Sequence, residues 1–329
     1  IYVKNKMYTG ELMATRLWMG DYITKNEKGK TLDFQALVNM TGGDSDASGI
    51  SRLGVLRADV DNLGASFMAG FPGNYSTLGR TAALSRQLSL FFKAYVNNLC
   101  AGKTPDGQEK FFLFNKKPQS KRNLHIVYSG GDDMFIVGAW DDLVELAVDM
   151  RRAFAIFTNG KLNFSGGLAL FSPVSPISEM ARQTGEMEAY AKDNTNKDSV
   201  ALFGWDTEWE KDTIKLTMPR FSWDEFIYGV CGEKLTFLKD NLGYEGNESS
   251  SRVKTGKGIL YRWLDLLRHS NKEINLARFA YVLARMAPDK KSSSYPAYES
   301  IRKKLYEWYQ LETALELIIY KIRQKGDKK

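Results

Sequence analysis

Apolar residues fall into short runs along the first two-thirds of the chain and into helical stripes along the last third. Leu53-Gly54-Val55-Leu56-Arg57-Ala58-Asp59-Val60 is nearly continuous in apolar character and reads as a buried strand ending in acid. Leu78 to Leu99 carries apolar residues at helical spacing, which predicts a long amphipathic helix. Two short apolar runs, Asn123–Tyr128 and Met134–Val137, flank Ser129-Gly130-Gly131-Asp132-Asp133 and read as a hairpin, with glycines at the bend where positive φ is cheap. A helix over Asp141–Phe157, opened by Asp141-Asp142 near its positive end, is followed by a strand over Leu162–Phe171. A helix over Ser178–Lys192, with Ser178 as N-cap, leads to a closing strand over Val200–Phe203. The order βαββαβ, with an added helix and strand, is that of a ferredoxin-like palm.

Ahead of this block, residues 1–40 read as short strands and loop, and Thr41–Gly49 is a small, polar loop. Beyond about residue 210, segments near 223–241, 258–269, 274–286 and 297–325 have helical periodicity and are separated by polar loops over Glu245–Lys257 and Pro288–Pro296. The expected architecture is α+β. Residues 1–50 form the end of a linker, 51–210 a nucleotidyl cyclase/polymerase-type palm, and 211–329 an all-α C-terminal domain.

Composition narrows the function classes. With 43% hydrophobic and 26% charged residues the chain reads as an ordinary soluble protein. No apolar run nears the roughly 18 residues of a membrane span, and no secretory leader is expected. Cys100 and Cys231 are too few for a disulfide framework or a cysteine zinc site, so buried free thiols in a reducing cytoplasm fit. His125 and His269 stand far apart and in no His-Asp pair. The net charge of +7 permits a nucleic-acid or nucleotide partner.

The candidate chemistry lies in the acids. Transfer of a nucleotidyl group requires neutralisation of a triphosphate and activation of a ribose hydroxyl, and two Mg²⁺ ions about 4 Å apart supply both. Such ions take hard oxygen ligands and only a few carboxylates. Asp59 ends one strand, and the palm topology sets Asp132 and Asp133 beside it. Asp61 falls two residues on and shares a face with Asp59 if the strand continues. As a bare tetrapeptide, Gly130-Gly131-Asp132-Asp133 also suits a tight turn with two solvated acids, but its pairing with an acid-tipped strand favours the metal reading. Asp59-Val60-Asp61-Asn62-Leu63-Gly64 passes from strand to turn, where backbone N–H groups can hold phosphates or simply cap the strand exit. Lys197 stands where a lysine could reach a triphosphate, or merely be solvated. The glycines in Ser165-Gly166-Gly167 mark close approach, either of a stacked base or of a packing helix.

These residues carry a resemblance. The runs Leu53–Gly64, Tyr128–Phe135, Ser165–Gly167 and Lys197–Gly204 resemble the second palm of the large subunit of type III CRISPR effector complexes, with the Csm-type (III-A) version the nearest. The likeness is strong over 51–205 and looser in the helical C-terminal part. It implies that, inside a guide-RNA complex that has bound target RNA, ATP is converted to cyclic oligoadenylates with 3′–5′ linkages, messengers that activate accessory nucleases. Carried over by motif, Asp59, Asp132 and Asp133, with the Val60 carbonyl, would hold two Mg²⁺ or Mn²⁺ ions. Lys197 would contact the triphosphate. Val60–Gly64, Gly130, Gly131 and Ser165–Gly167 would lie near the nucleotide. The implied partners are the small subunits, packed on the C-terminal helices, the subunit at the guide 5′ end, and guide and target RNA through the complex.

Departures from the family pattern limit what is carried over. The family's full subunit begins with an HD nuclease domain, a first palm and a cysteine-built linker zinc site. No His-Asp pair or cysteine cluster occurs here, so single-stranded DNA cleavage is not assigned to this chain. Cyclisation in the family uses two ATP sites facing each other across two palms, and one palm is visible here. Two alternatives stand beside this reading. One is a diguanylate-cyclase-like enzyme, whose hairpin is similar. The other is a non-catalytic scaffold palm, against which three intact carboxylates argue, because without metal they repel one another.

Overall fold

A computed structural model describes residues 2–6, 15–40, 49–70, 73–75, 77–114, 121–203, 219–242, 257–268, 273–285, 287–291, 295–304 and 307–323. The expected loops at 41–49 and 245–257 fall mostly outside these residues, as do Gly204 and His269. The chain divides into two compact units, Ile1–Asp44 with Ser51–Trp223, and Ser45–Ile50 with Asp224–Lys329.

In the first unit, β1 (Tyr2–Lys4) and β2 (Thr15–Leu17) form a small parallel pair, followed by α1 (Phe34–Asn39). Asp33 caps α1 by accepting a bond from the Ala36 amide at 2.7 Å. The palm elements are β3 (Leu53–Val60), α2 (Leu63–Ala69), α3 (Leu78–Leu90), α4 (Val96–Cys100), β4 (Leu124–Gly130) and β5 (Asp133–Ala139). They continue with α5 (Trp140–Phe157), β6 (Phe164–Phe171), α6 (Ile177–Lys192), β7 (Ser199–Leu202) and β8 (Arg220–Ser222). Among the described residues, six strands form one sheet in the order β4-β5-β3-β6-β7-β8. All neighbours are antiparallel except β6 and β7. The four strands β4-β5-β3-β6 have the ferredoxin-like order, with β3 between β5 and β6, and β7 and β8 extend the sheet beyond β6.

Central position explains the apolar run of β3, since a strand covered on both faces must be apolar on both. Leu53 and Val55 join Phe135, Val137, Ala169, Phe171, Met180, Met187 and Ala191 in one core that also takes Leu37 and Val38 of α1. Each of the valine, leucine, methionine and phenylalanine side chains, fully buried, stabilises the fold by roughly 1.5–3 kcal/mol. Gly167 is there because α6 lies close: a Cβ would sit 2.6 Å from Met187 Cβ and 2.6 Å from the Thr184 carbonyl oxygen. Of the two readings of the β6 glycines, packing against a helix is the one observed at this position.

Two expectations for these helices need adjustment, and a third gains a role. The helix expected over 78–99 is present, but a π-helical stretch (Phe91–Tyr95) joins α3 to α4. The extra residue per turn turns both Phe91 and Phe92 inward, with ring centroids 5.0 and 5.9 Å from Phe154, whereas the first two turns of α3 bury nothing. Ser178 is not the N-cap of α6. Pro176 occupies that position and Ser178 lies in the first turn, because proline presets φ and has no amide to leave unpaired there. Asp142 is buried at the start of α5 as a tether, accepting bonds from the Asn123 amide at 2.9 Å and Asn123 Nδ2 at 3.0 Å.

A buried ion network ties the 108–114 segment to α5. Arg122 is fully buried and contacts Glu145 at 2.7 Å and also Asp149. The same carboxylates accept the Leu113 amide at 3.0 Å and the Phe111 amide at 2.9 Å. Cys100 is buried and free, and burial pushes its thiol up to about 12.

In the second unit a π-helical stretch (Glu225–Leu235) continues into α7 (Thr236–Leu242), followed by α8 (Lys257–Arg268), α9 (Glu273–Arg285), α10 (Tyr295–Lys303) and α11 (Trp308–Ile322). The segment of helical periodicity at 297–325 thus holds most of one helix and the whole of another. Among the described side chains of α10, Tyr298 and Ile301 are the buried hydrophobics, whereas α11 is buried over most of its length. Cys231 is also buried and free. No helix among the described residues is long and apolar enough to cross a membrane.

Candidate active site

The two strand ends that carry the acids are neighbours. In β3, Asp59 stands opposite Asp133 of β5 on one side and Ser165 of β6 on the other. Directly opposed residues of an antiparallel pair share a face with Cβ atoms about 5 Å apart, where like charges destabilise the sheet. Such a pair persists at a strand end only if something else uses the charge.

The turn supplies the third acid. Gly131 and Asp132 form a two-residue loop between Gly130 and Asp133. Gly131 has φ +61°, as the first position of a type II′ hairpin turn requires, and glycine adopts this without a Cβ clash. The Asp132 carbonyl accepts the Val60 amide at 3.2 Å, which locks the turn to the end of β3. Partial burial, then the charges of Asp59 and Asp133, hold the Asp132 carboxyl above its ordinary range. Tyr128 directs its hydroxyl to the Asp133 carboxylate while its ring stays exposed. Lys93, on the π-helical stretch, comes so close to Gly130 that a Cβ there would sit 3.3 Å from its Cε.

A cation meets Asp59 from α6. Lys192 Nζ donates to Asp59 Oδ2 and, at 3.0 Å, to Glu188 Oε1. Glu188 in turn pairs with Arg57 Nε at 3.0 Å, so a charge chain runs along the α6 face to the acids. Burial disfavours the charge on Lys192, but its bonds to Asp59 and Glu188 outweigh that and hold the ammonium above its ordinary value. Sequence reading passed over Lys192 in favour of Lys197. The available signal was that Lys192 extends the inward stripe of Met180, Met187 and Ala191 to the helix end, where a lysine has to meet an acid.

Asp61 lies in the turn after β3 rather than on a continuing strand. It is buried, and its Oδ2 accepts Ser165 Oγ at 3.0 Å and the Asp198 amide at 2.9 Å. Its Oδ1 is buried without a hydrogen-bond partner among the described residues. Burial raises its carboxyl above the ordinary range against the pull of those two bonds. Asn62 takes left-handed backbone with φ +53°, and its Oδ1 accepts Lys197 Nζ at 2.8 Å. Leu63 and Gly64 begin the short α2. Ser165, Gly166 and Gly167 are buried in the sheet, and Ser165 reaches the site through Asp61.

Asp59, Asp133, Asp132 and the Val60 backbone are therefore brought to one sheet end, with Asp61, Asn62 and Lys197 forming its next wall. Among the described residues, no group of three or more His, Cys, Asp or Glu side chains could hold a metal ion unaided. An incomplete carboxylate set suits Mg²⁺, which keeps water and phosphate oxygens in its shell. The ammonium of Lys192 on Asp59 shows that this carboxylate already receives a cation.

Comparisons with known proteins bear on this geometry. Residues 52–201 match the family described as Cas10/Cmr2, second palm domain. Residues 244–324 match the CRISPR RNA silencing complex Cmr2 subunit, second helical domain. The chain is 38% identical over 335 residues to a CRISPR system single-strand-specific deoxyribonuclease Cas10/Csm1 (subtype III-A) of Mycobacterium tuberculosis, covering 98% of this chain and 37% of that protein. It is 36% identical over 338 residues to the protein of the same description from Streptococcus thermophilus, covering 98% of this chain and 38% of the relative. It thus spans less than two-fifths of the length of these relatives. Among solved structures, a Csm1-Csm4 subcomplex of the type III-A CRISPR-Csm interference complex superposes with a TM-score of 0.72 at 28% identity, over 98% of this chain and 43% of that one. A Csm1-Csm4 cassette in complex with cA3 gives 0.73 at 27%, and one in complex with one ATP gives 0.71 at 28%, each over 98% of this chain and 43% of the other. With the acids gathered on a ferredoxin-like sheet and these matches running along nearly the whole chain, the protein belongs to the Cas10/Csm1 family of type III-A CRISPR large subunits, corresponding to the portion with the second palm and second helical domain.

Proposed function

We propose that this chain transfers nucleotidyl groups from ATP by two-metal chemistry and so makes cyclic oligoadenylates, as the palm portion of an RNA-guided type III-A complex activated by target RNA. One observation carries this reading: Asp59 and Asp133 oppose each other across adjacent strands, with Asp132 in the turn between Gly131 and Asp133. This is a repulsive arrangement that only a bound cation makes useful. The ATP and cA3 complexes of the related cassettes support adenine nucleotides as substrate and product.

In this reading Asp59, Asp132, Asp133 and the Val60 carbonyl would hold Mg²⁺ or Mn²⁺. Such ions, when bound, neutralise the triphosphate and lower the pKa of the attacking ribose hydroxyl. The chain's own groups do the positioning. Tyr128 orients Asp133 through its hydroxyl. With a metal on Asp59, Lys192 would be free to pair with a phosphate oxygen, and Glu188, 3.0 Å away, would keep it beside the site. Lys197, bonded to Asn62 Oδ1, offers a second ammonium. Gly130 and Gly131 admit the nucleotide backbone close to the hairpin, and the turn from Asp61 to Gly64 lines the phosphate side. Ring closure takes place between two such palms, so this site is one half of a composite centre. The helical unit packs on small subunits, a Csm4-type subunit binds at the guide 5′ end, guide and target RNA are held through the complex, and the assembly works in the cytoplasm.

The test is a complex reconstituted with Asp132→Ala plus Asp133→Ala and given labelled ATP, Mg²⁺ and target RNA. Oligoadenylate formation is expected to vanish while assembly and RNA binding persist. Unchanged product from the double variant would refute the assignment, and a clear preference for GTP would transfer it to the diguanylate-cyclase class.

A further inference from the structure

Two consecutive residues after α6 hold backbone that side-chain-bearing residues avoid. Lys197 has φ +53° and Asp198 φ +48°. An L-residue is disfavoured there by roughly tenfold, through the contact of Cβ with the following carbonyl oxygen. The pair therefore needs to be held.

The holding groups come from three other elements. Arg151 of α5 donates from Nε to Asp198 Oδ1 and from Nη2 to Asp198 Oδ2, both at 2.7 Å, a bidentate fork. The Asp198 amide donates to Asp61 Oδ2 at 2.9 Å, and the Asp198 carbonyl accepts the Trp223 amide at 2.9 Å. Every polar group of Asp198 is thereby engaged. The outcome is that Lys197 reaches back 2.8 Å to Asn62 Oδ1, at the exit of the strand that carries Asp59. Arg151 and Asp198 are mostly shielded, with side chains 14% and 23% exposed, so the pair is better protected from solvent than an ordinary surface bridge.

We infer that Arg151 is a positioning residue for nucleotide binding: by clamping Asp198 in left-handed backbone it aims Lys197 at the phosphate side of the Asp59 site. The inference rests on the proposed ATP reading and extends it to a residue on another helix. An ion pair that merely stabilises the fold is the competing account, and the two differ in what glycine does at position 198. Glycine takes positive φ freely, so it should hold the loop without the clamp.

The experiment measures binding of AMPPNP with Mg²⁺ to the full 329-residue chain by calorimetry, with thermal unfolding in parallel. Arg151→Met and Asp198→Ala are each expected to weaken binding about tenfold, the bias that the left-handed backbone no longer has held. Arg151→Lys should fail to restore it, because one ammonium cannot engage both carboxylate oxygens as a fork. Asp198→Gly should bind within about threefold of the unaltered chain, since its backbone needs no clamp. Equal weakening by Asp198→Gly and Asp198→Ala, or full affinity in Arg151→Met, overturns the inference and leaves the ATP reading standing. If the unaltered chain binds no AMPPNP, or binds it equally well as Asp59→Asn, the ATP reading fails and this inference fails with it.

Discussion

Replacing Lys192 with methionine keeps most of the side chain's length and removes the ammonium that contacts Asp59 and Glu188. Glu188 retains Arg57 at 3.0 Å, so the change falls mainly on the acids. Two carboxylates about 5 Å apart repel by roughly 3 kcal/mol at an effective dielectric of about 20. An ammonium in contact with one of them returns an amount of the same order. Lys192 and Asp59 have side chains 24% and 28% exposed, so solvent screens part of this. A net loss of about 2 kcal/mol is expected for the metal-free protein after that discount. For a unit of this size it lowers the melting temperature by roughly 4–8 °C. Mn²⁺ at saturating concentration supplies the missing positive charge, so the difference between variant and unaltered chain should shrink to less than about half, and the variant should gain more from metal. Thermal unfolding of both chains, with EDTA and then with MnCl₂, reads this directly. An identical loss under both conditions would show that Lys192 acts through packing, and the cation argument for the site would fall with it.

Two further outcomes concern the scaffold. In the helical unit, burial and then the neighbouring Glu316 charge push the Glu312 carboxyl up to about 7. Its native pKa is raised above the unfolded value of 4.5, so the native state binds the extra proton and stability falls as pH rises between about 4.5 and about 7. Glu312→Gln should match the unaltered chain near the lower limit and exceed it by up to about 3 kcal/mol above the upper one, measured by urea unfolding across pH; parallel curves would dismiss the coupling. In the palm, Arg122→Met leaves Glu145 and Asp149 buried without their shared guanidinium and should cost about 3–5 kcal/mol in urea unfolding. A loss below about 1 kcal/mol would mean that the network is dispensable.

Much of the palm was legible because its strands are buried on both faces and its hairpin is punctuated by glycine. The apolar run of 53–60, the acid at its tip and Gly130-Gly131-Asp132-Asp133 are local signals, and the element order alone put them side by side. The helical stripes of the last third are equally local. Their breaks are not: whether 297–325 is one helix or two depends on which face each half buries, and that is decided by neighbours far along the chain.

What the sequence determined by itself was therefore the set of acids and the fold that gathers them. What the tertiary structure decided was which charges meet. Lys192 and Lys197 look alike in the sequence, yet α6 delivers one to Asp59 while the other bonds Asn62. Asp61 reads as a further acid on the strand, but the chain turns and buries it against Ser165 and Asp198. Arg151, within a helix 47 positions from its partner, carries no local mark of a role at the site. Backbone periodicity is a property of adjacent residues and can be read along the chain. Pairing of charges is a property of distance in space, and only packing sets it.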